Sequence, residues 1–232
     1  MANILLIETA TAVCSVSISQ GGKILICKEA AEKNSHSTVL SVLIEQMITE
    51  CDLSYNQLDA VSVSSGPGSY TGLRIGVSTA KGLCYALDKP LISIGTLESM
   101  AMGMLEKQPD YKGLLCPMID ARRMEVYSAI YDKQMEVRKA VSADIIEEGS
   151  YAEYLAETNV LFFGDGSTKT MSLFEREPNA VFDFDFVPSS VNMSLLAEKK
   201  YQEKAFEDIA YFEPFYLKDF VAGKPSVKGL YS

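Results

Sequence analysis

Three strand-like runs crowd into the first 28 residues, before any helical pattern begins, and this order constrains the fold more than any other feature. Asn3 to Glu8 is a short, mostly apolar run, the pattern of a buried strand. From Val13 to Gln20 the residues alternate, with Val13, Ser15 and Ser17 on one side and Cys14, Val16 and Ile18 on the other. Gly21-Gly22 supplies a two-residue hairpin turn, where positive φ costs glycine nothing, and Lys23 to Lys28 returns as a third strand. The pattern then becomes helical. Val39, Leu40, Leu43, Ile44, Met47, Ile48 and Cys51 recur at three- and four-residue spacing and predict one broad apolar stripe, with Asn34, Ser35 or Ser37 available to cap its start. Ala60 to Ser65 reads as a fourth strand. It runs into Gly66-Pro67-Gly68-Ser69-Tyr70-Thr71-Gly72, a loop of turn formers. A second helix over about Leu73 to Leu87, a fifth strand over Leu91 to Gly95, and a helix capped by Thr96 and reaching about Leu105 complete the first half.

A dinucleotide-binding sheet would open on a βαβ unit. A meander followed by helix-separated strands is the order of ribonuclease-H-like and actin-like lobes. The expected fold is therefore α/β, two-lobed, actin-like, with mixed central sheets. Gln108-Pro109-Asp110 is the expected boundary between an amino-terminal lobe, 1–108, and a carboxy-terminal lobe, 109–232. In the second lobe, Leu114 to Ile119 and Val126 to Tyr131 read as strands around Asp120-Ala121-Arg122-Arg123. Ser150 to Glu157 reads as a short helix and Val160 to Phe163 as a strand ending in Gly164-Asp165-Gly166. Ser189 or Ser190 starts a helix reaching about Glu207. The tail Pro214-Phe215-Tyr216-Leu217-Lys218 is aromatic, then basic.

Composition narrows the chemistry. A chain of 232 residues can bury two cores. A net charge of −10 argues against an overall field that attracts a phosphate backbone, although Arg122, Arg123, Lys218, Lys224 and Lys228 could form a local basic patch. The first residues lack a basic segment followed by a long apolar run, and no stretch approaches the ~18 apolar residues of a membrane span. The five cysteines, Cys14, Cys27, Cys51, Cys84 and Cys116, have no paired spacing. They read as free buried thiols in a reducing cytoplasm.

The chain holds one histidine, His36, and Leu40 stands four residues later, where a zinc-binding helix needs a second ligand. No G-x-S-x-G turn presents a serine nucleophile. No catalytic residue and no metal site is expected. The loop Gly66 to Gly72 joins a strand to a helix, a geometry that favours an anion. Its glycine spacing matches neither the P-loop nor the dinucleotide fingerprint. It reads either as a phosphate loop or as a strained turn that seats the helix on the sheet. The following helix is apolar on two sides: Leu73, Val77, Ala80, Cys84 and Leu87 on one, Ile75, Thr79, Gly82, Leu83 and Ala86 on the other. Burial inside the chain and burial against another chain both account for that. Glu8, Thr9 and Thr11 at the first turn, with Gly164 and Gly166 in the second lobe, are the candidates to face a nucleotide, and they leave an independent ATPase or phosphotransferase open as an alternative.

Four segments in order carry a resemblance to one family: Ile7-Glu8-Thr9-Ala10-Thr11; Ser64 through Gly76; Ile119-Asp120-Ala121-Arg122-Arg123-Met124-Glu125-Val126-Tyr127; and Pro214 to Lys218. Together they resemble the TsaB (YeaZ) family, over the whole length of the chain. The resemblance implies a non-catalytic subunit of the assembly that makes N6-threonylcarbamoyladenosine at position 37 of tRNA, paired with a catalytic TsaD-type subunit and a TsaE-type ATPase. Such chains lack the metal-binding histidines of the catalytic paralogue. The resemblance also implies docking through the two helices of the first lobe, here through Val39, Leu40, Leu43, Met47, Arg74, Ile75, Ser78, Thr79 and Gly82. Homodimers through the same surface, tRNA contact only through the complex, and ATP or ADP only at the level of the complex are further implications. Glu8 departs from the family's frequent aspartate. An older label for the group implies a peptidase, which the missing ligands disfavour.

Overall fold

The structure is a computed structural model and describes residues 1–31 and 36–218. Strands β1 (Asn3–Glu8), β2 (Cys14–Gln20) and β3 (Lys23–Ala30) form the expected meander. Helix α1 spans His36–Glu50, β4 Ala60–Gly66, α2 Tyr70–Leu87, β5 Leu91–Gly95 and α3 Thr96–Lys107. The second half contains β6 (Leu114–Asp120), β7 (Glu125–Tyr131), β8 (Val137–Ile145), α4 (Ala152–Glu157), β9 (Val160–Phe163), β10 (Ala180–Asp183) and α5 (Ser194–Gln202).

The strands make two five-stranded mixed sheets, ordered β3-β2-β1-β4-β5 and β8-β7-β6-β9-β10. Each sheet is an antiparallel meander extended by two parallel strands, so the two halves repeat one topology. The two-lobed α/β expectation holds; the sheets lie on either side of Gln108 in sequence, but α3, before it, packs on the second sheet and α5, after it, packs on the first.

Helices α1 and α2 lie on one face of the first sheet. Leu40, Ile44, Met47, Val77, Ala80 and Cys84 pack there against Leu5, Ile7, Val16, Ile18, Val61 and Val63. Burying a side chain of that size contributes about 1.5–3 kcal/mol. Helix α3 packs on the second sheet, with Leu97, Met100 and Met104 against Leu115, Ile119 and Phe163.

Several expectations are corrected. The two faces of β2 are both buried, because a 3-10 turn at Ser190–Met193 and helix α5 return to the first sheet and cover its other face. Ser15 and Ser17 hydrogen-bond Ser190 there, each at 2.9 Å. The helix expected from Ser189 to Glu207 is that turn followed by a shorter α5. Ser37 lies inside α1 and does not cap it, and Asn34 and Ser35 lie outside the described residues. Helix α2 starts three residues before Leu73, because the Ser69 hydroxyl accepts from Gly72 N–H at 3.2 Å and caps it. Thr96 is the first residue of α3, with Gly95 at the cap. Cys14, Cys84 and Cys116 are buried, whereas Cys27 and Cys51 are half-buried; all are free thiols. No helix among the described residues is long and apolar enough to cross a membrane.

Candidate functional site

The first candidate surface is the outer side of α1 and α2. Leu40 and Met47 are 2% and 0% exposed and belong to this chain's own core, so they present nothing to a partner. Val39, Leu43, Ile75 and Leu83 are half-buried at the core's rim. Thr79 is half-buried beside them, and Arg74, Ser78, Gly82 and Ala86 are exposed. Val42, 47% exposed, and Tyr85, 85% exposed, extend this strip. One apolar side of α2 is therefore enclosed by the chain, and the other lies at the surface.

The loop after β4 is closed by its own chain. A Cβ at Gly68 would lie 2.4 Å from Ala10 O, one at Gly72 2.1 Å from Thr9 O, and one at Gly76 2.2 Å from Thr9 Oγ1. Ser69 N–H donates to Ala10 O at 2.7 Å. The glycines are thus small so that the β1–β2 turn can press against the loop and α2. This close packing is what the reading of a turn that seats the helix requires. Gly66, at φ +115°, makes room for the backbone of Phe215, and the Gly66-Pro67 peptide bond is cis.

Glu8 sits beneath this turn, fully buried. Its Oε1 accepts from Ala10 N–H at 2.6 Å, and its Oε2 has no partner. Burial lifts its pKa to about 7, although the Ala10 amide and the Ser64 hydroxyl oppose the rise.

Between the lobes lies a cleft of about 690 Å³. Its first-lobe wall is Ala10 to Ala12, His36, Ser37, Gly68 to Gly72 and Ile75. His36 Nε2 lies 3.1 Å from Thr11 O, which places the chain's single histidine in the wall. The second-lobe wall is Ile119 to Arg122, Tyr127 and Asp165. Asp165 accepts from Asp120 N–H at 3.0 Å, and Asp120 accepts from Arg122 N–H at 2.8 Å and pairs with Lys169. Burial raises the Asp120 pKa, but Lys169 and the Arg122 amide more than offset it and leave the carboxyl below its ordinary value. Of the residues expected to face a nucleotide, only Thr11 reaches the cleft. Glu8 and Thr9 lie beneath it, and Gly164 and Gly166 pack against Met118 and Ile119 while Asp165 between them faces in. Ala10 O, which accepts from Ser69 N–H, fills the concave side of the loop that opens α2. Among the described residues no cluster of three His, Cys, Asp or Glu side chains could hold a metal ion.

A segment missed as structure closes the third side. Residues 207–218 form a strap: Glu207 N–H bonds Leu91 O on the edge of β5 at 2.9 Å, and Phe215 N–H bonds Ser65 O at 2.7 Å. Lys81 Nζ holds Phe212 O at 2.8 Å, Tyr216 lies 4.7 Å from Tyr70 between ring centroids, and Lys218 crosses to Glu125 of the second lobe. In the sequence it shows only as the aromatic, then basic run 214–218, which is also one of the segments that carry the family resemblance.

Residues 24–229 match the family model described as TsaD, tRNA N6-adenosine threonylcarbamoyltransferase. A Haemophilus influenzae protein named tRNA threonylcarbamoyladenosine biosynthesis protein TsaB is 27% identical over 95% of this chain and 95% of its own length. A Buchnera aphidicola (subsp. Acyrthosiphon pisum) protein of the same name is 31% identical over 69% of this chain and 68% of its own. A crystal structure from Pseudomonas aeruginosa, described as similar to peptidase YeaZ, superposes with a TM-score of 0.81 at 23% identity, covering 94% of this chain and all of that one. With sequence, length and two-lobed fold in agreement, this chain belongs to the TsaB (YeaZ) family.

Proposed function

We propose that this chain is a scaffold and activating subunit, without chemistry of its own, in the synthesis of N6-threonylcarbamoyladenosine in tRNA. It docks a catalytic TsaD-type subunit. One observation carries the reading: the outer strip of α1 and α2, where Val42, Gly82 and Tyr85 are exposed and Ile75 and Leu83 are half-buried at the rim of a helix pair whose inner side is already filled. Small residues at Ser78 and Gly82 let a partner's backbone approach closely, and Tyr85 offers the kind of aromatic anchor that interfaces favour. The names of the TsaB relatives supply the pathway. A chain with one histidine matches a model of the transferase itself, which supports a paralogue that has lost the metal site. A TsaE-type ATPase joins the assembly, ATP or ADP is held only at its level, and tRNA is met through the partner. Without the partner, two copies pair through the same strip. The cytoplasm is the expected compartment.

The test is size-exclusion chromatography of this chain mixed with the TsaD-type protein of the same cell. Ile75→Glu and Leu43→Glu should abolish co-elution while each variant alone keeps its melting temperature within a few degrees. Unchanged co-elution of both variants would falsify the assignment of the strip.

A further inference from the structure

Among the described residues, Glu8 is the one acidic or basic side chain that the fold buries, at 0% exposure. One carboxyl oxygen is engaged by the turn that covers it, accepting from Ala10 N–H at 2.6 Å, and the other has no partner. No ion pair among the described residues includes it. A lone carboxylate is strongly disfavoured in so dry a place, so the closed fold holds the neutral acid.

The β1–β2 turn is both the cover of this carboxyl and the seat of α2. Ala10 to Ala12 line the cleft with Glu8 beneath them, so lifting the turn is the short route from the carboxyl to solvent. The same turn gives Ala10 O to Ser69 N–H at 2.7 Å and sets Thr9 against Gly72 and Gly76. It is lightly held: Thr9 N–H reaches Ser64 Oγ at 3.4 Å, and Thr9 Oγ1 has no partner. From β2, Cys14 feels the charge of Glu8, but burial pushes its thiol up to about 11 and keeps it protonated at neutral pH. From β4 the facing group is the Ser64 hydroxyl, and the 3-10 turn Ser190–Met193, packed on β1, carries no titratable residue. From α1, His36 Nε2 lies 3.1 Å from Thr11 O. Across the cleft stand Asp120, Arg122, Tyr127 and Asp165, and Tyr70 of α2 and Lys218 of the strap line it too.

We propose that Glu8 is a proton-operated latch: as the neutral acid it holds the β1–β2 turn down on α2, and once its proton passes to solvent the carboxylate drives the turn open toward the cleft. Opening hydrates the carboxylate and takes Thr9 and Ala10 off α2. The inner seat of the helix's first two turns is loosened while the sheet beneath stays folded. The closed state keeps its proton up to a pKa of about 7, and the opened one releases it at the ordinary 4.5. Opening is therefore independent of pH below 4.5, is favoured about tenfold per pH unit between the two values, and levels off above 7. The whole rise is about 300-fold. This goes beyond the scaffold reading and concerns the isolated chain.

The experiment is hydrogen exchange of the isolated full chain from about pH 4 to about pH 8, read by NMR as protection relative to an unstructured chain. The Ala10 and Ser69 amides report the turn. The Leu6 and Val63 amides, in the β1–β4 ladder, report whole-chain unfolding. Protection at Ala10 and Ser69 should fall along that profile and stay below that of Leu6 and Val63. In Glu8→Gln, which keeps an acceptor and cannot ionise, it should stay flat. In His36→Gln the fall should persist, which separates the two titrations. A flat profile in the parent, protection equal to that of Leu6 and Val63, a fall that survives in Glu8→Gln, or one that vanishes in His36→Gln overturns the latch. Should Glu8→Gln fail to fold, the parent's profile and His36→Gln decide. Because no partner is present, failure here leaves the docking strip untouched, and the reverse also holds.

Discussion

Two glycines of α2 should respond to alanine in opposite directions. Alanine stabilises a helix interior by about 1 kcal/mol relative to glycine. At Gly82 nothing lies within 4 Å of the added Cβ, so the full gain should appear, as a rise of about 2–4 °C in melting temperature. At Gly72 the Cβ would lie 2.1 Å from Thr9 O, a backbone atom that can retreat only if the β1–β2 turn moves. Overpacking against such a neighbour costs typically 1–3 kcal/mol and sometimes more. Gly72 lies in the first turn of α2, where the interior gain of alanine does not apply in full, so Gly72→Ala should lose about 1–3 kcal/mol and melt about 2–12 °C lower. Urea unfolding of both variants at one pH, with unchanged slopes, measures the pair. Gly82 also lies in the proposed docking strip, so Gly82→Ala should weaken binding of the TsaD-type partner even as it strengthens the isolated chain. A Gly72→Ala protein as stable as the parent would refute the tight seat of the turn on the helix. Destabilisation by Gly82→Ala would refute the open outer face.

Glu8 predicts a pH signature. Its folded pKa of about 7 lies above the ordinary 4.5, so the folded state holds the proton more tightly, and its contribution is complete below pH 4.5 and lost as pH rises through 7. The gap corresponds to about 3 kcal/mol, so Glu8→Gln should gain about that much on the parent between pH 4 and pH 8; parallel pH profiles would sink this. Asp144 has the opposite sign. Burial raises its pKa, but bonds from Lys139, Ser128, Ser142 and Tyr151 hold it below the ordinary value, so its contribution is present above that value and fades as pH falls through the folded pKa. Asp144→Asn should cost about 1.5–3 kcal/mol at pH 7 and much less in acid, read by urea unfolding at the two pH values. Met47→Ala, at a fully buried position, should cost about 2–5 kcal/mol of monomer stability, where Leu43→Glu at the rim should spare the monomer and cost the complex.

The elements with strong local signals were legible. β1 and β9 match their expected bounds, and Gly21-Gly22 sits at the expected hairpin. The start of α2 was misplaced because Ser69 caps it through a bond that spacing alone does not reveal. Strands β8 and β10 went unseen. Val137–Ile145 is mostly half-buried or exposed at a sheet edge and carries little apolar contrast, and Ala180–Asp183 has four residues. Alternation places Ser15 and Ser17 on one side of β2 without saying what covers it; Ser189 and Ser190, some 170 positions later, do so. No local pattern encodes so distant a partner. At the site, the loop and Thr11 were legible as turn chemistry. The burial of Glu8 was not, because a carboxylate at a strand end looks the same whether water or a turn covers it. The two-sided apolarity of α2 was read, but only coordinates assign its inner side to this chain and its outer side to the surface.

The return of α5 to the first sheet has a consequence for biosynthesis. Ala2, Ile4, Leu6, Ala60, Ile92 and Ile94 form an apolar face whose cover includes Met193, Leu196 and Ala197. On a ribosome adding about 5–20 residues per second, that cover follows Ile94 by about 5–20 s. During this interval the nascent first sheet offers a greasy plane to whatever is near, the condition under which partly folded chains aggregate.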